Sequence, residues 1–127
     1  MILSVATKAK NELINITAQV QQCVTESKKT DGIVHVFIPH TTAAVTINEN
    51  ADPDVVSDFI NGLNRIVPES GFMHNEGNSP AHIKASLVGC SEMIIFEKSK
   101  LCLGTWQGIF FCEFDGPRSR KIKINIT

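Results

Sequence analysis

The sequence predicts an α+β fold of largely antiparallel sheet with about three helices. Three observations lead there. Short apolar runs of strand length recur along the chain, bounded by glycine, proline, asparagine and aspartate. The last run, Lys121–Ile126, alternates cleanly, with Ile122, Ile124 and Ile126 on one side and Lys121, Lys123 and Asn125 on the other. Asp52-Pro53 and Ser79-Pro80 each open a helix-like stretch, because a short polar side chain caps free amides and proline fits the first turn. Most strands follow one another through turns, which favours hairpins.

In chain order, Ile2–Thr7 and Leu13–Ile16 read as short strands. Thr17 then caps a helix over Ala18–Ser27, whose apolar face is Val20, Cys23 and Val24. Ile33–Ile38 is rich in branched residues and reads as a strand; His35 shares a face with Ile33 and Phe37. Pro39 ends it, and His40-Thr41-Thr42 follows. Ala43–Asn48 alternates as a strand, with Ala43, Val45 and Ile47 together. After the Asp52 cap, Val55, Val56, Phe59, Ile60, Leu63 and Val67 recur at helical spacing and predict one buried face, closed by Pro68. The helix from Ser79 to Gly89 places His82, Ala85, Ser86 and Gly89 on one small, polar side. Ile83 and Leu87 form one apolar flank, and Ala81 and Val88 the other. So little charge predicts burial on most sides. Met93–Phe96, Leu101–Leu103 and Ile109–Phe114 complete the strands, with Gly104–Gly108 as a glycine-framed loop and Asp115-Gly116-Pro117 as a turn.

Bulk properties narrow the function. A chain of 127 residues makes one domain, 1–127. The net charge of −1 argues against nucleic acid as a main partner. No apolar run approaches the ~20 residues of a membrane span, and Met1–Ala6 does not read as a signal peptide. Cys23, Cys90, Cys102 and Cys112 lack CxxC spacing and read as reduced thiols, mostly core filler, in a cytoplasmic setting.

Four constellations carry possible chemistry. His40, His74 and His82 all lie near loops, and three imidazoles suit a metal with an open position. Scattered capping or surface histidines are the alternative, and His35 reads as a sheet residue. In Asn48-Glu49-Asn50-Ala51-Asp52, Asp52 is explained as a cap, whereas Glu49 is a candidate base or metal ligand. The loop holding Thr105, Trp106 and Gln107 offers a hydroxyl, an indole and an amide for a phosphate or a ring, although a lone tryptophan equally anchors a core. Glu113 shares a face with Ile109 and Phe111, so its carboxylate must be paired or functional. Arg118 is a candidate partner and also a candidate phosphate binder.

Taken together, His40-Thr41-Thr42-Ala43-Ala44, Asn48-Glu49-Asn50 with Asp52-Pro53, His74 with Pro80–Ser86, and Gly104–Ile109 with Glu113 resemble the YjbQ family, also called UPF0047. The resemblance spans essentially the whole chain. It implies an α+β subunit with a sandwich-like sheet arrangement that assembles as a homotrimer. Members are described as secondary thiamine-phosphate synthases, which join a hydroxymethylpyrimidine diphosphate to a thiazole phosphate and release pyrophosphate. The family's histidine positions fall on His40, His74 and His82, and its acidic positions on Glu49 and Asp52.

The resulting expectation is a pocket for phosphorylated small molecules. His40, His74 and His82 would bind a divalent metal, zinc or magnesium, or the anion itself. His40, Glu49, His82 and Lys84 would serve catalysis, with Glu49 as base. Asn48, Asp52, Ser86, Thr105, Trp106, Gln107 and Arg118 would contact substrate. A non-catalytic metal- or ligand-binding trimer and a metal-dependent hydrolase stay open as alternatives. Neither nucleic acid nor a membrane is expected as a partner.

Overall fold

The computed structural model describes residues Met1–Thr127. Two antiparallel sheets face each other across one core, and three helices complete the chain. The strands are β1 (Ile2–Ala6), β2 (Glu12–Asn15), β3 (Gly32–Phe37), β4 (Ala43–Glu49), β5 (Ser91–Glu97), β6 (Lys100–Leu101), β7 (Gln107–Glu113) and β8 (Ser119–Ile126). The helices are α1 (Thr17–Ser27), α2 (Pro53–Ile66) and α3 (Ser79–Val88). The larger sheet runs β1-β8-β3-β5-β6 and the smaller one β2-β7-β4. Three helices and antiparallel sheets are the α+β arrangement expected, but the strands are not mostly joined as hairpins: only β5 and β6 are both consecutive and paired, because the chain crosses between the two sheets at nearly every other connection.

Strand alternation builds the core. Val34 and Val36 from β3, Ile94 and Phe96 from β5, and Ile122 and Ile124 from β8 meet Ala43 and Val45 from β4 and Ile109 and Phe111 from β7. Val20, Cys23 and Val24 of α1 pack into the same cluster. A smaller cluster covers the other side of the small sheet, where Ala44, Cys112 and Phe114 meet Ala81 and Ala85 of α3.

At α1 and α3 the N-cap position falls one residue before the expected one. For α1 it is Ile16, whose side chain caps nothing; Asn15, one residue further back, accepts the Thr17 N–H on its Oδ1 at 3.0 Å. Thr17 is already helical and its Oγ1 accepts the Ile109 N–H at 2.8 Å, which docks the helix on β7. For α3 the N-cap position is Asn78, with Ser79 inside the helix. Asp52 caps α2 as expected, accepting the Asp54 N–H at 2.9 Å.

Two burial expectations fail. The apolar face of α2 is half-buried rather than buried: Val55, Val56, Phe59, Ile60 and Leu63 are each partly covered, and of the expected set only Val67, just past the helix, is buried. Leu63 packs against the smaller cluster. On α3, Leu87 is 60% exposed, since β4 covers the Ala81 and Ala85 side instead. Cys90 and Cys102 are also exposed rather than core filler; Cys23 and Cys112 are buried. All four thiols are free.

Glu113 is fully buried and paired, but with Arg120 rather than Arg118. Arg118 instead turns to Asp115, at 2.8 Å. The reason is register. Arg120 is an inward position of β8, whereas Arg118 precedes that strand. Arg120 donates Nε to Glu113 Oε1 at 2.9 Å and Nη2 to the second carboxylate oxygen. Thr7 donates its hydroxyl to Oε1 at 2.7 Å, and the Phe114 and Asp115 N–H groups donate to Oε2 at 3.1 and 3.2 Å. Gly116 is required beside the pair: a Cβ there would stand 2.8 Å from Glu113 Cγ and 2.9 Å from Thr7 Oγ1. Burial alone would raise the Glu113 pKa, but the bonds from Arg120, Thr7 and Asp115 outweigh it and hold the carboxyl below its usual value.

Breaking this pair leaves one charge buried without its partner. Arg120→Met is expected to cost about 3–5 kcal/mol in urea unfolding, while Arg118→Met, which removes an exposed pair, costs less than about 1 kcal/mol. Equal losses would count against the structural role of Glu113–Arg120. The lowered Glu113 pKa also fixes a sign. Its stabilisation is present above the unfolded carboxyl pKa and is lost as pH falls through the folded value. Wild-type stability should therefore decline in acid more steeply than that of a Glu113→Leu, Arg120→Met double variant.

Candidate functional site

Three separate segments bring histidines to one cleft. His40 follows β3, His74 lies on the loop before α3, and His82 sits in the first turn of α3. The cleft has two adjoining halves that share His40, Thr41 and His82. One half, of about 490 Å³, is polar and takes in His74, Glu76, Asn78, Asp115, Arg118 and Arg120. The other, of about 480 Å³, is walled by Ala43, Ala85, Ser86, Gly89 and Cys90. The small side of α3 thus does what its composition suggests and leaves open space beside His82. Either half is the size of a small-molecule site.

The His74 and His82 rings stand edge to face with centroids 5.7 Å apart. His74 Nε2 lies 4.0 Å from the Glu76 carboxylate. Two imidazoles bound at ~2.0–2.1 Å to one tetrahedral ion would place their centroids roughly 5 Å apart, so the pair is close to ligand spacing. No group of three histidine, cysteine or acidic side chains is arranged to hold an ion as the chain stands. His40 explains why. Its Nε2 accepts the Lys121 backbone N–H at 2.9 Å, so that lone pair is occupied. Burial and the nearby Arg120 guanidinium push its pKa below the ordinary histidine value. The ring is therefore neutral near pH 7 with its proton on Nδ1, suited to donate to an anion.

The cleft floor is tied to the buried ion pair. Arg120 Nη2 donates to Thr42 Oγ1 at 2.8 Å, which fixes the chain two residues after His40. Arg118 donates from Nε to the Asp115 carbonyl and from Nη2 to its carboxylate, both at 2.8 Å. Asn78 donates to the same carboxylate at 2.9 Å, while its own Oδ1 is buried without a partner. These bonds and the Arg118 charge hold Asp115 below its usual pKa against the opposing effect of burial.

Several expected site residues lie elsewhere. Lys84 points to the opposite side of α3 from His82 and is 1% exposed. It donates to Asn64 of α2 at 2.5 Å and to Asn11 at 3.3 Å, with Glu69 at 3.8 Å. Burial pushes its ammonium below the ordinary lysine value, and Glu69 opposes that shift. Glu49, Asn48 and Asp52 are at the far end of β4. That strand pairs with β7 from Ala43↔Glu113 at the cleft to Glu49↔Gln107 at its other end. At ~3.4 Å per residue the separation is about 20 Å. Thr105, Trp106 and Gln107 join them there: the Asn50 N–H donates to the Trp106 carbonyl at 2.9 Å. Gly108 permits this approach, since a Cβ would meet the Asn50 side chain at 2.7 Å. Trp106 is 62% exposed and anchors no core. One chain thus carries two poles. The histidine pole also contains Arg120, Asp115 and Asn78, which sequence spacing did not single out. Alternation along β8 placed Arg120 inward and was the available signal.

A family model described as UPF0047 protein YjbQ-like matches residues 1–127. The chain belongs to the YjbQ/UPF0047 family. UPF0047 protein MJ1081 of Methanocaldococcus jannaschii is 54% identical over 96% of this chain and 89% of its own length. UPF0047 protein YugU of Bacillus subtilis is 46% identical over 98% and 96%. A crystal structure of a YjbQ/UPF0047 protein from Clostridium acetobutylicum superposes with a TM-score of 0.98 at 53% identity, covering 100% of this chain and 99% of that one. The conserved hypothetical protein TT1486 of Thermus thermophilus gives 0.93 at 39% identity, covering 100% and 99%. The two-sheet arrangement is thus shared with other YjbQ/UPF0047 proteins. No helix here is long and apolar enough to cross a membrane.

The position of Lys84 makes it a link between helices. Lys84→Met should lower stability by about 1–3 kcal/mol, because Asn64 and Asn11 lose a buried partner. Unchanged urea unfolding would show that the ammonium ties nothing together.

Proposed function

We propose that the histidine cleft binds the diphosphate of a small molecule and supports a thiamine-phosphate-synthase-like transfer. The observation that carries this reading is the convergence of His40, His74 and His82 on one cleft with Arg118 and Arg120. In the transfer, the bond between the pyrimidine-bearing carbon and its diphosphate breaks, the thiazole nitrogen bonds that carbon, and pyrophosphate leaves. Such chemistry needs cationic stabilisation of the departing oxygens more than a nucleophile. His74 and His82 would hold a divalent metal, which when bound supplies that stabilisation as a Lewis acid. His40, neutral and carrying its proton on Nδ1, donates to a phosphoryl oxygen. Arg118, half exposed at the rim, adds a planar pair of donors. The half walled by Ala43, Ala85 and Ser86 takes the ring. Homotrimeric assembly and a cytoplasmic setting complete the reading; four free thiols support the latter.

Protein purified without chelator is expected to carry zinc or another divalent metal by elemental analysis, and to bind pyrophosphate by calorimetry. His82→Ala should weaken both by at least about tenfold; unchanged affinities would sink the assignment of His82. With the two thiamine precursors, a His40→Ala, His74→Ala double variant should form no product. Product formed at the wild-type rate would remove these histidines from the mechanism.

A further inference from the structure

We propose that a chamber behind the cleft wall is a binding site for a small zwitterion, an α-amino acid of about the size of alanine. The chamber lies on the Lys84 side of α3 and holds about 180 Å³. It is smaller and more enclosed than either half of the histidine cleft. Glu76, Asn78 and Asp115 line both spaces and form the wall between them.

One end of the chamber is cationic. Lys10 Nζ lies 3.6 Å from one oxygen of Glu69 and Lys84 Nζ lies 3.8 Å from the other, so a single carboxylate gathers both lysines. Two ammonium groups on one carboxylate leave that end net positive. Lys84 is 1% exposed, so its charge is buried with it. Asn64 and Asn11 accept from its Nζ at 2.5 and 3.3 Å, whereas Glu69 stands beyond hydrogen-bond distance. An ammonium has three N–H donors, and the remaining one is open to an acceptor in the chamber.

The other end is acidic. The Asn78 amide nitrogen donates to the Asp115 carboxylate at 2.9 Å. A carboxylate only accepts, so this bond fixes which way the amide faces. Asn78 Oδ1 is thereby left buried with no donor, which is costly for an acceptor taken out of water. Arg118 already pairs with Asp115, so the exposed Glu76 carboxylate carries the charge that remains at this end.

Between the ends the wall is apolar, formed by Pro80, Ala81 and Phe114. At ~30 Å³ per water, 180 Å³ corresponds to about six waters, or a ligand of roughly six non-hydrogen atoms. Alanine is of that size. Its carboxylate matches the lysine end, its ammonium supplies a donor for Asn78 Oδ1 and a counter-charge for Glu76, and its methyl group suits the apolar wall. A simple carboxylate satisfies the lysine end and leaves Asn78 Oδ1 without a donor. A simple amine does the reverse.

The test uses no phosphorylated ligand, so its outcome is separate from that of the histidine cleft. Calorimetric titration with alanine should show saturable binding at a single site. Acetate and ethylamine, which carry one charge each, should bind at least about tenfold more weakly. Phenylalanine, too large for the chamber, should not bind. In amide correlation spectra, alanine should move the signals of Lys10, Gly77, Asn78 and Ala81. Lys10→Ala and Asn78→Ala are mild changes, since the Lys10 side chain is 60% exposed and the Asn78 side chain makes no capping bond to α3. Each should weaken alanine binding by at least about threefold. The proposal is overturned by an absence of saturable binding, or by either half-ligand or phenylalanine binding as tightly as alanine. Spectral shifts centred elsewhere, or unchanged affinity in both variants, overturn it equally.

Discussion

The buried Glu113–Arg120 pair is the constraint on which the rest of the architecture depends. Glu113 closes β7 in the small sheet and Arg120 lies in β8 of the large one, so the pair fastens the two sheets at one end. Two charges taken out of water repay their desolvation only if the remaining donors and acceptors are satisfied. Here they are, by Thr7, Thr42 and two backbone N–H groups. Each of those partners comes from a different segment, so satisfying the charge also fixes the β1 end, the approach to β4 and the turn after β7.

The cleft is built on that fastening. Thr42 is held by Arg120, and His40 is held two residues away by the Lys121 N–H, the next residue of β8. Asp115, beside Glu113, orients Arg118 and Asn78, and Asn78 leads into α3 with His82. The histidines are therefore positioned from strand ends and a helix start, while Glu113, Arg120 and Thr42 behind them are buried and hydrogen-bonded. Burial, helped by the same arginine that pairs with Glu113, lowers the His40 pKa.

Much of the fold was legible because it depends on local patterns. Period-two alternation put Val34, Val36, Ile122 and Ile124 inward, and Asp52-Pro53 started α2 where it was expected. The N-cap positions of α1 and α3 lie one residue earlier than expected, at Ile16 and Asn78, because Thr17 and Ser79 are already helical. The partner of Glu113 was misread because a turn residue nearby in sequence looked as eligible as a strand residue seven positions on. Choosing between them required the inward phase of β8, which also turned Arg118 to the rim. The burial of α2 was overstated for a different reason: its apolar face is real, but the rest of the chain covers it only in part.

What the sequence determined by itself was the set of elements and the grouping of His40, His74 and His82 near chain irregularities. Those follow from side-chain periodicity and from the few residues that tolerate turns. The tertiary structure decided which groups share a space. It joined the three histidines to Asp115, Arg118 and Arg120, turned Lys84 away into its contacts with Asn11 and Asn64, and set Glu49 and Trp106 at the far pole. The physical reason is that a strand holds its two ends apart at a fixed rise per residue, and only sheet pairing reveals which end faces what.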